Sequence, residues 1–161
     1  MPKDEIKFED FLQNVPPGNL SFVHDMHDFM LQNKCTYKIA EAKSGHVLSY
    51  LVPKTKKVLA NYVFRKNGML IRIYGDNISK YTDILGNLPE SMAKSIEGAP
   101  PCTRLIDPTK CNSRCPLGYV FEFNGKTMQS CRYNSFMFDI EEANHAAIRS
   151  FLERELGERA A

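Results

Sequence analysis

Residues 57–75 read KVLANYVFRKNGMLIRIYG, two runs of alternating side chains that meet at Asn67-Gly68. Asn-Gly is the favoured pair of a two-residue type I′ turn, whose twist matches that of two antiparallel strands. The spacing therefore predicts strands over 57–66 and 69–75, with Lys66 opposite Met69, Phe64 opposite Ile71 and Tyr62 opposite Ile73. Tyr62, Phe64, Ile71 and Ile73 then share one face, which must be the core side. Asn61, Val63, Arg65, Leu70, Arg72 and Tyr74 share the other, which is half polar. A hairpin of this kind belongs to an antiparallel sheet with one face packed and one partly wet.

Working outward, 36–52 keeps the period of two. It predicts a strand from Tyr37, a turn at Ser44-Gly45, a strand over 46–52 and a loop at Pro53-Lys54-Thr55-Lys56. Upstream the period lengthens. Residues 7–14 suit a short helix closed by Val15-Pro16-Pro17-Gly18, and Asn19 suits the N-cap of a helix running to Asn33. Leu20, Val23, Met26, His27, Met30 and Leu31 form its buried stripe. Downstream, 77–88 and 89–98 read as helical segments, with Pro89 at a first helical position. Asp76-Asn77 suits a helix cap. Residues 99–117 form a Pro- and Cys-rich loop, long for a compact domain unless something pins it. A second Asn-Gly pair, Asn124-Gly125, predicts strands over 118–123 and 126–140. The stretch 141–159 is a helix with Ala143, Ala147, Ile148, Phe151, Leu152 and Leu156 along one stripe. Helices segregated from antiparallel strands mean an α+β fold: a sheet of about five to six strands, helices on one face, an N-terminal helix pair and a C-terminal helix.

The 161 residues, 43% hydrophobic and 25% charged, fit one soluble globular domain over 1–161 and exclude a disordered or collagen-like chain. No apolar run is long enough for a membrane span, and the first residues carry no apolar signal core, so a cytoplasmic location is expected. Net charge is only +2, but it is sorted. Residues 43–75 hold seven basic side chains and no acidic one, whereas 1–30 hold two basic and six acidic. Such a block suits an anionic small molecule or nucleic acid, with Lys56, Lys57, Arg65, Arg72 and Tyr74 as the candidate ligand-binding residues. Lysines at turns and strand edges also serve simply to discourage edge pairing. Arg72 would clamp a carboxylate or phosphate against the sheet, or pair with a glutamate of the C-terminal helix, and the pair is the favoured of the two.

Of the five cysteines, Cys35 stands alone, and Cys102, Cys111, Cys115 and Cys131 are spaced C-x8-C-x3-C-x15-C. A turn at Asn124-Gly125 puts Phe123 opposite Lys126, Phe121 opposite Met128 and Gly118 opposite Cys131, which returns the last thiol to the chain leaving Cys115. Four thiols so gathered suit a tetrahedral, structural Zn²⁺ with Zn–S of about 2.3 Å. Arg104, Lys110, Arg114 and Arg132 would soften the excess negative charge and lower the thiol pKa values. The alternatives are a disulfide or a thiol redox protein or sensor cycling Cys111 and Cys115, and unconnected buried cysteines packed as small hydrophobes. His24 and His27, one helical turn apart, have the spacing of metal ligands but lack a third, so core-edge packing is the expectation for His27. No phosphate-binding glycine loop, HExxH or dinucleotide fingerprint is present, and a catalytic residue is not assigned.

The FxxFLxxVPP start over 8–17, Ser49-Tyr50-Leu51-Val52-Pro53 and the hairpin ending in Ile71-Arg72-Ile73-Tyr74 resemble the small bacterial α+β domains of the YdhG/YjbR type. The resemblance covers residues 7 to about 98 and implies a frataxin-like or double-wing fold, in a family described as iron chaperones or DNA-binding proteins. Residues 99–140 depart from that pattern as a cysteine-bearing segment of their own.

Overall fold

The computed structural model describes residues 6–43, 45–66, 68–107, 109 and 117–160. Two short N-terminal helices, α1 (Phe8–Leu12) and α2 (Leu20–Gln32), precede a four-strand meander of β1 (Thr36–Ala42), β2 (Gly45–Leu51), β3 (Val58–Arg65) and β4 (Gly68–Ile73). Two 3-10 turns, Ile78–Lys80 and Thr82–Asn87, lead to α3 (Glu90–Glu97) and α4 (Thr103–Ile106). There follow β5 (Tyr119–Phe123), β6 (Lys126–Ser130), β7 (Met137–Asp139) and the long α5 (His145–Ala160). The fold is α+β, with a five-stranded antiparallel sheet in the order β1-β2-β3-β4-β7 and a separate β5–β6 hairpin.

The first hairpin keeps its expected faces but not its expected register. Tyr62 pairs with Ile71, Phe64 with Met69, and Arg65 with Gly68 closes the ladder, so the pairing is shifted by two residues. A shift of two leaves every side chain on its face. Tyr62, Met69, Ile71 and Ile73 are buried on the core side. Gly68 has φ +135°, a backbone conformation open to glycine. Asn67, the other half of the expected turn, lies outside the described residues, as does Ser44. The second hairpin holds the expected register, Phe123↔Lys126 and Phe121↔Met128. Its turn has Asn124 at φ 49° and Gly125 at φ 78°, both left-handed as a type I′ turn requires.

The helices meet one face of the main sheet. Phe11 of α1 lies 5.8 Å from the rings of both Tyr62 and Phe64, and His27 of α2 bonds Tyr50 of β2. Phe138, in register with Ile71, meets Phe151 of α5 at 6.1 Å. Phe136 joins the two sheets. Its ring is 5.2 Å from Phe121, 5.6 Å from Tyr119 and 4.8 Å from Phe151.

Several local expectations are corrected. The single strand expected over 126–140 breaks after Ser130, because the Cys131 carbonyl accepts from the Asn134 and Ser135 amides and folds the chain into a turn. Residues 137–139 therefore leave the hairpin and pair with β4 instead. The expected loop at 99–117 contains α4 and a β-bridge between Pro101 and Ser130. The helix expected over 77–88 is two 3-10 turns. Neither Asn19 nor Asn77 caps a helix with its side chain. Asn19 instead donates to the Ile140 carbonyl at 2.9 Å and contacts His145 Nε2 at 3.1 Å, tying α2 to the start of α5.

Candidate functional site

A pocket of about 340 Å³ opens where four separate parts of the chain converge. These are the end of α2 at Asn33, the β2–β3 loop, the exit of β4 at Asp76 and Asn77, and the last turn of α5. Val52, Pro53, Leu156 and Ala160 make its walls apolar, and Lys54, Lys57, Asp76 and Arg159 are its charged groups. The loop is held by bonds across its base. The Val52 amide donates to the Lys57 carbonyl at 3.0 Å and the Lys56 amide to the Val52 carbonyl at 3.0 Å. Lys56 itself takes φ 59°, a left-handed residue that lets so short a loop close.

The pocket floor is one end of an ionic network. Glu155 lies on the apolar stripe of α5 and is fully buried. A buried carboxylate is tolerated only when its lone pairs are occupied, and four donors reach this one. They are the Asn77 amide at 2.9 Å, Asn77 Nδ2 at 2.8 Å, the Tyr81 hydroxyl at 2.6 Å and Arg159 Nε at 2.9 Å. Burial and the neighbouring Glu155 charge push the Tyr81 phenol well above its ordinary pKa, so Tyr81 stays a donor. Arg159 also donates to the carbonyls of Val58 at 3.1 Å and Tyr74 at 2.7 Å, and reaches Asp76 at 3.4 Å.

Asp76 is shared. Its second partner is Arg132, whose guanidinium sits 4.9 Å from the centre of the Tyr74 ring and 5.7 Å from that of Tyr119. The Tyr119 hydroxyl donates to Asp76 at 2.9 Å, and burial together with Asp76 raises the phenol's pKa. Two carboxylates, Glu155 and Asp76, thus face two guanidinium groups, Arg159 and Arg132. Their charges cancel. Lys54 and Lys57 are exposed and have no ion-pair partner among the described residues.

The five expected ligand-binding residues are not gathered. Lys57 lines the pocket and Lys56 adjoins it in the same loop. Arg65 lies at the far end of β3, roughly 26 Å away at the rise of an extended strand. The pair expected between Arg72 and a glutamate of α5 is not formed among the described residues. Arg72 Nε donates to the Tyr133 carbonyl at 2.7 Å, and its terminal nitrogens reach Asn61 Oδ1 and Met137 Sδ. Tyr74 is buried beneath Arg132. The turn after β6 thus lies on the sheet face that was expected to receive a ligand.

At the base of the second hairpin, the chain before α4 runs beside β6. The Cys102 amide donates to the Gln129 carbonyl at 2.8 Å and the Cys131 amide to the Pro100 carbonyl at 2.9 Å. Each of these thiols also accepts an N–H. The Gly118 amide is 3.4 Å from Cys102 Sγ, and Asn134 Nδ2 is 3.7 Å from Cys131 Sγ. Only glycine fits at 118, where an added Cβ would come within 2.7 Å of Cys102 Cβ and collide with the Ser130 carbonyl. Cys111 and Cys115, with Lys110 and Arg114, lie outside the described residues. Among the described residues no group of three or more His, Cys, Asp or Glu is arranged to hold a metal. Cys35 is buried, and burial raises its thiol pKa. His27 packs at the core edge as expected, stacked 3.7 Å from Phe8 and bonded to the Tyr50 hydroxyl at 2.8 Å, and burial lowers its pKa.

The sequence did carry a signal for the missed network. Glu155 falls three and four residues after Leu152 and Phe151, on an otherwise apolar stripe, with Arg159 one turn further on. A carboxylate at such a position must be satisfied from another element. No helix among the described residues is long and apolar enough to cross a membrane. Comparison with protein-family models, curated proteins and solved structures returns no match.

Proposed function

We propose that this chain is a binding domain for a small organic anion with an apolar body, held in the pocket between the β2–β3 loop and the end of α5. The supporting observation is the charge arrangement. The network on the pocket floor is internally neutral, so the unpaired ammonium groups of Lys54 and Lys57 set the sign of the mouth. The apolar walls would take the body of the ligand and the two lysines its charge. Anilinonaphthalene sulfonate, an anion of this shape, is a direct probe. The expected result is saturable fluorescence enhancement at pH 7 that weakens about tenfold or more in Lys54→Glu/Lys57→Glu, with unchanged circular dichroism. Equal binding by the variant overturns the reading. Tight duplex DNA binding with a steep salt dependence, lost in Lys56→Glu and Lys57→Glu, would replace the small anion by nucleic acid.

The proposal includes a structural Zn²⁺ on Cys102, Cys111, Cys115 and Cys131. In its favour, Cys102 and Cys131 flank the same β-bridge, and both accept N–H···S bonds. Untagged protein should carry close to one zinc per chain, and Cys131→Ser should lose both metal and stability. Metal-free protein with a rapidly reacting thiol pair would favour the redox reading at Cys111 and Cys115 instead.

A further inference from the structure

We infer that Arg132, which does not line the pocket, makes it selective for anions by cancelling Asp76. The inference rests on the anion reading above and names what sets its specificity. Among the described residues Asp76 is the pocket's one carboxylate. Unopposed, it would repel a bound anion and attract any ligand carrying an ammonium group. Arg159 cannot oppose it alone, because its Nε is committed to Glu155 at 2.9 Å and it reaches Asp76 at only 3.4 Å. Arg132 closes the balance from outside, meeting both Asp76 oxygens.

Arg132 is also built to stay there. Its side chain is 16% exposed, and its guanidinium lies over two tyrosine rings, Tyr74 and Tyr119. Its backbone lies in the turn that the Cys131 carbonyl organises through Asn134 and Ser135. A cation stacked this way loses little entropy when it pairs, and Arg, a flat and weakly hydrated cation, suits the place better than Lys. Arg132 is therefore a positioning and charge-setting residue. The ligand class that follows is a carboxylate, sulfonate or phosphate ester without a neighbouring amine.

The test is anilinonaphthalene sulfonate titration at low salt across a charge series. Arg132→Gln should raise Kd about fivefold, the scale of one charge acting through a partly solvated site. Asp76→Asn should lower it by about the same factor, and Asp76→Asn placed in Arg132→Gln should restore the starting affinity. Loss of packing alone would not be rescued by a second substitution that removes a further bond. The proposal is overturned if Arg132→Gln binds like the unaltered chain, or if Asp76→Asn fails to rescue it. Should Arg132→Gln not fold, the tightening by Asp76→Asn alone decides, with no change in Kd as the refuting result. If Lys54→Gln and Lys57→Gln leave the titration of the unaltered chain intact, the pocket reading itself fails, whatever Arg132 does.

Discussion

Replacing Glu155 by Gln tests the network that anchors α5. The carboxylate is fully buried and accepts four hydrogen bonds, so both of its oxygens are in use. Gln keeps the shape but has one acceptor oxygen. Whichever way its amide turns, the NH₂ faces a donor: Arg159 Nε and Asn77 Nδ2 at the Oε2 position, or the Asn77 backbone amide at the Oε1 position. Arg159, with its side chain 10% exposed, also loses its closest counter-charge. A lost hydrogen bond to a charged group costs about 1.5–3 kcal/mol, and orphaning one member of a buried pair about 3–5 kcal/mol. Allowing for relaxation toward Asp76, we expect Glu155→Gln to cost about 3 kcal/mol, or roughly 9 °C in Tm for a domain of this size. The chain has no Trp, so urea unfolding is followed by far-ultraviolet circular dichroism. Arg159→Met and the double variant complete a cycle, with an expected coupling of about 2 kcal/mol. A loss under about 0.5 kcal/mol at unchanged m-value, or additivity of the two single variants, would refute the account.

Two other consequences are open to measurement. Burial lowers the pKa of both His27 and His145 below the ordinary 6.5, so the unfolded chain takes up protons first as the solution is acidified. The stability they contribute is whole above about pH 6.5 and falls below it, by up to about 1.4 kcal/mol per pH unit for each histidine. Urea unfolding between pH 7.5 and 5.5 should show that slope, reduced in His27→Gln, and an identical slope in the variant would discount His27. Gly118→Ala drives a methyl group toward Cys102 and the Ser130 carbonyl, a backbone atom that cannot swing aside. It should cost about 2–3 kcal/mol and speed amide exchange at Cys102 and Cys131, and wild-type protection at both amides would count against the close packing described.

How far the sequence could be read depends on what each signal encodes. Alternation along 57–75 encodes the faces of the hairpin, and Tyr62, Ile71 and Ile73 are buried together as it implies. It has a period of two, so it cannot distinguish registers that differ by two, and that is the size of the error at Arg65↔Gly68. At Asn124-Gly125 both turn residues take left-handed backbone, and there the register follows from the turn chemistry. The break after Ser130 was illegible because a tertiary alternative, pairing of 137–139 with β4, overrides the local tendency to extend. The pocket was illegible for a different reason. Its lining runs from Asn33 to Ala160, and no local pattern reports which loops will meet. The basic residues of 43–75 were visible as a block, but the strand geometry that parts Lys57 from Arg65 and the turn that covers Arg72 are three-dimensional facts.

The strand order has a bearing on how the molecule is made. Four strands of the main sheet follow one another directly, but the fifth pairs Leu70 with Asp139, a partner far later in the chain. As the polypeptide leaves the ribosome, the outer edge of β4 must wait with its amides and carbonyls bare while the whole cysteine hairpin is synthesised. Bare edges recruit strangers. The vulnerable species in biogenesis is thus the nascent meander before residue 139 arrives, and chaperone contacts on arrested chains should concentrate on 68–73.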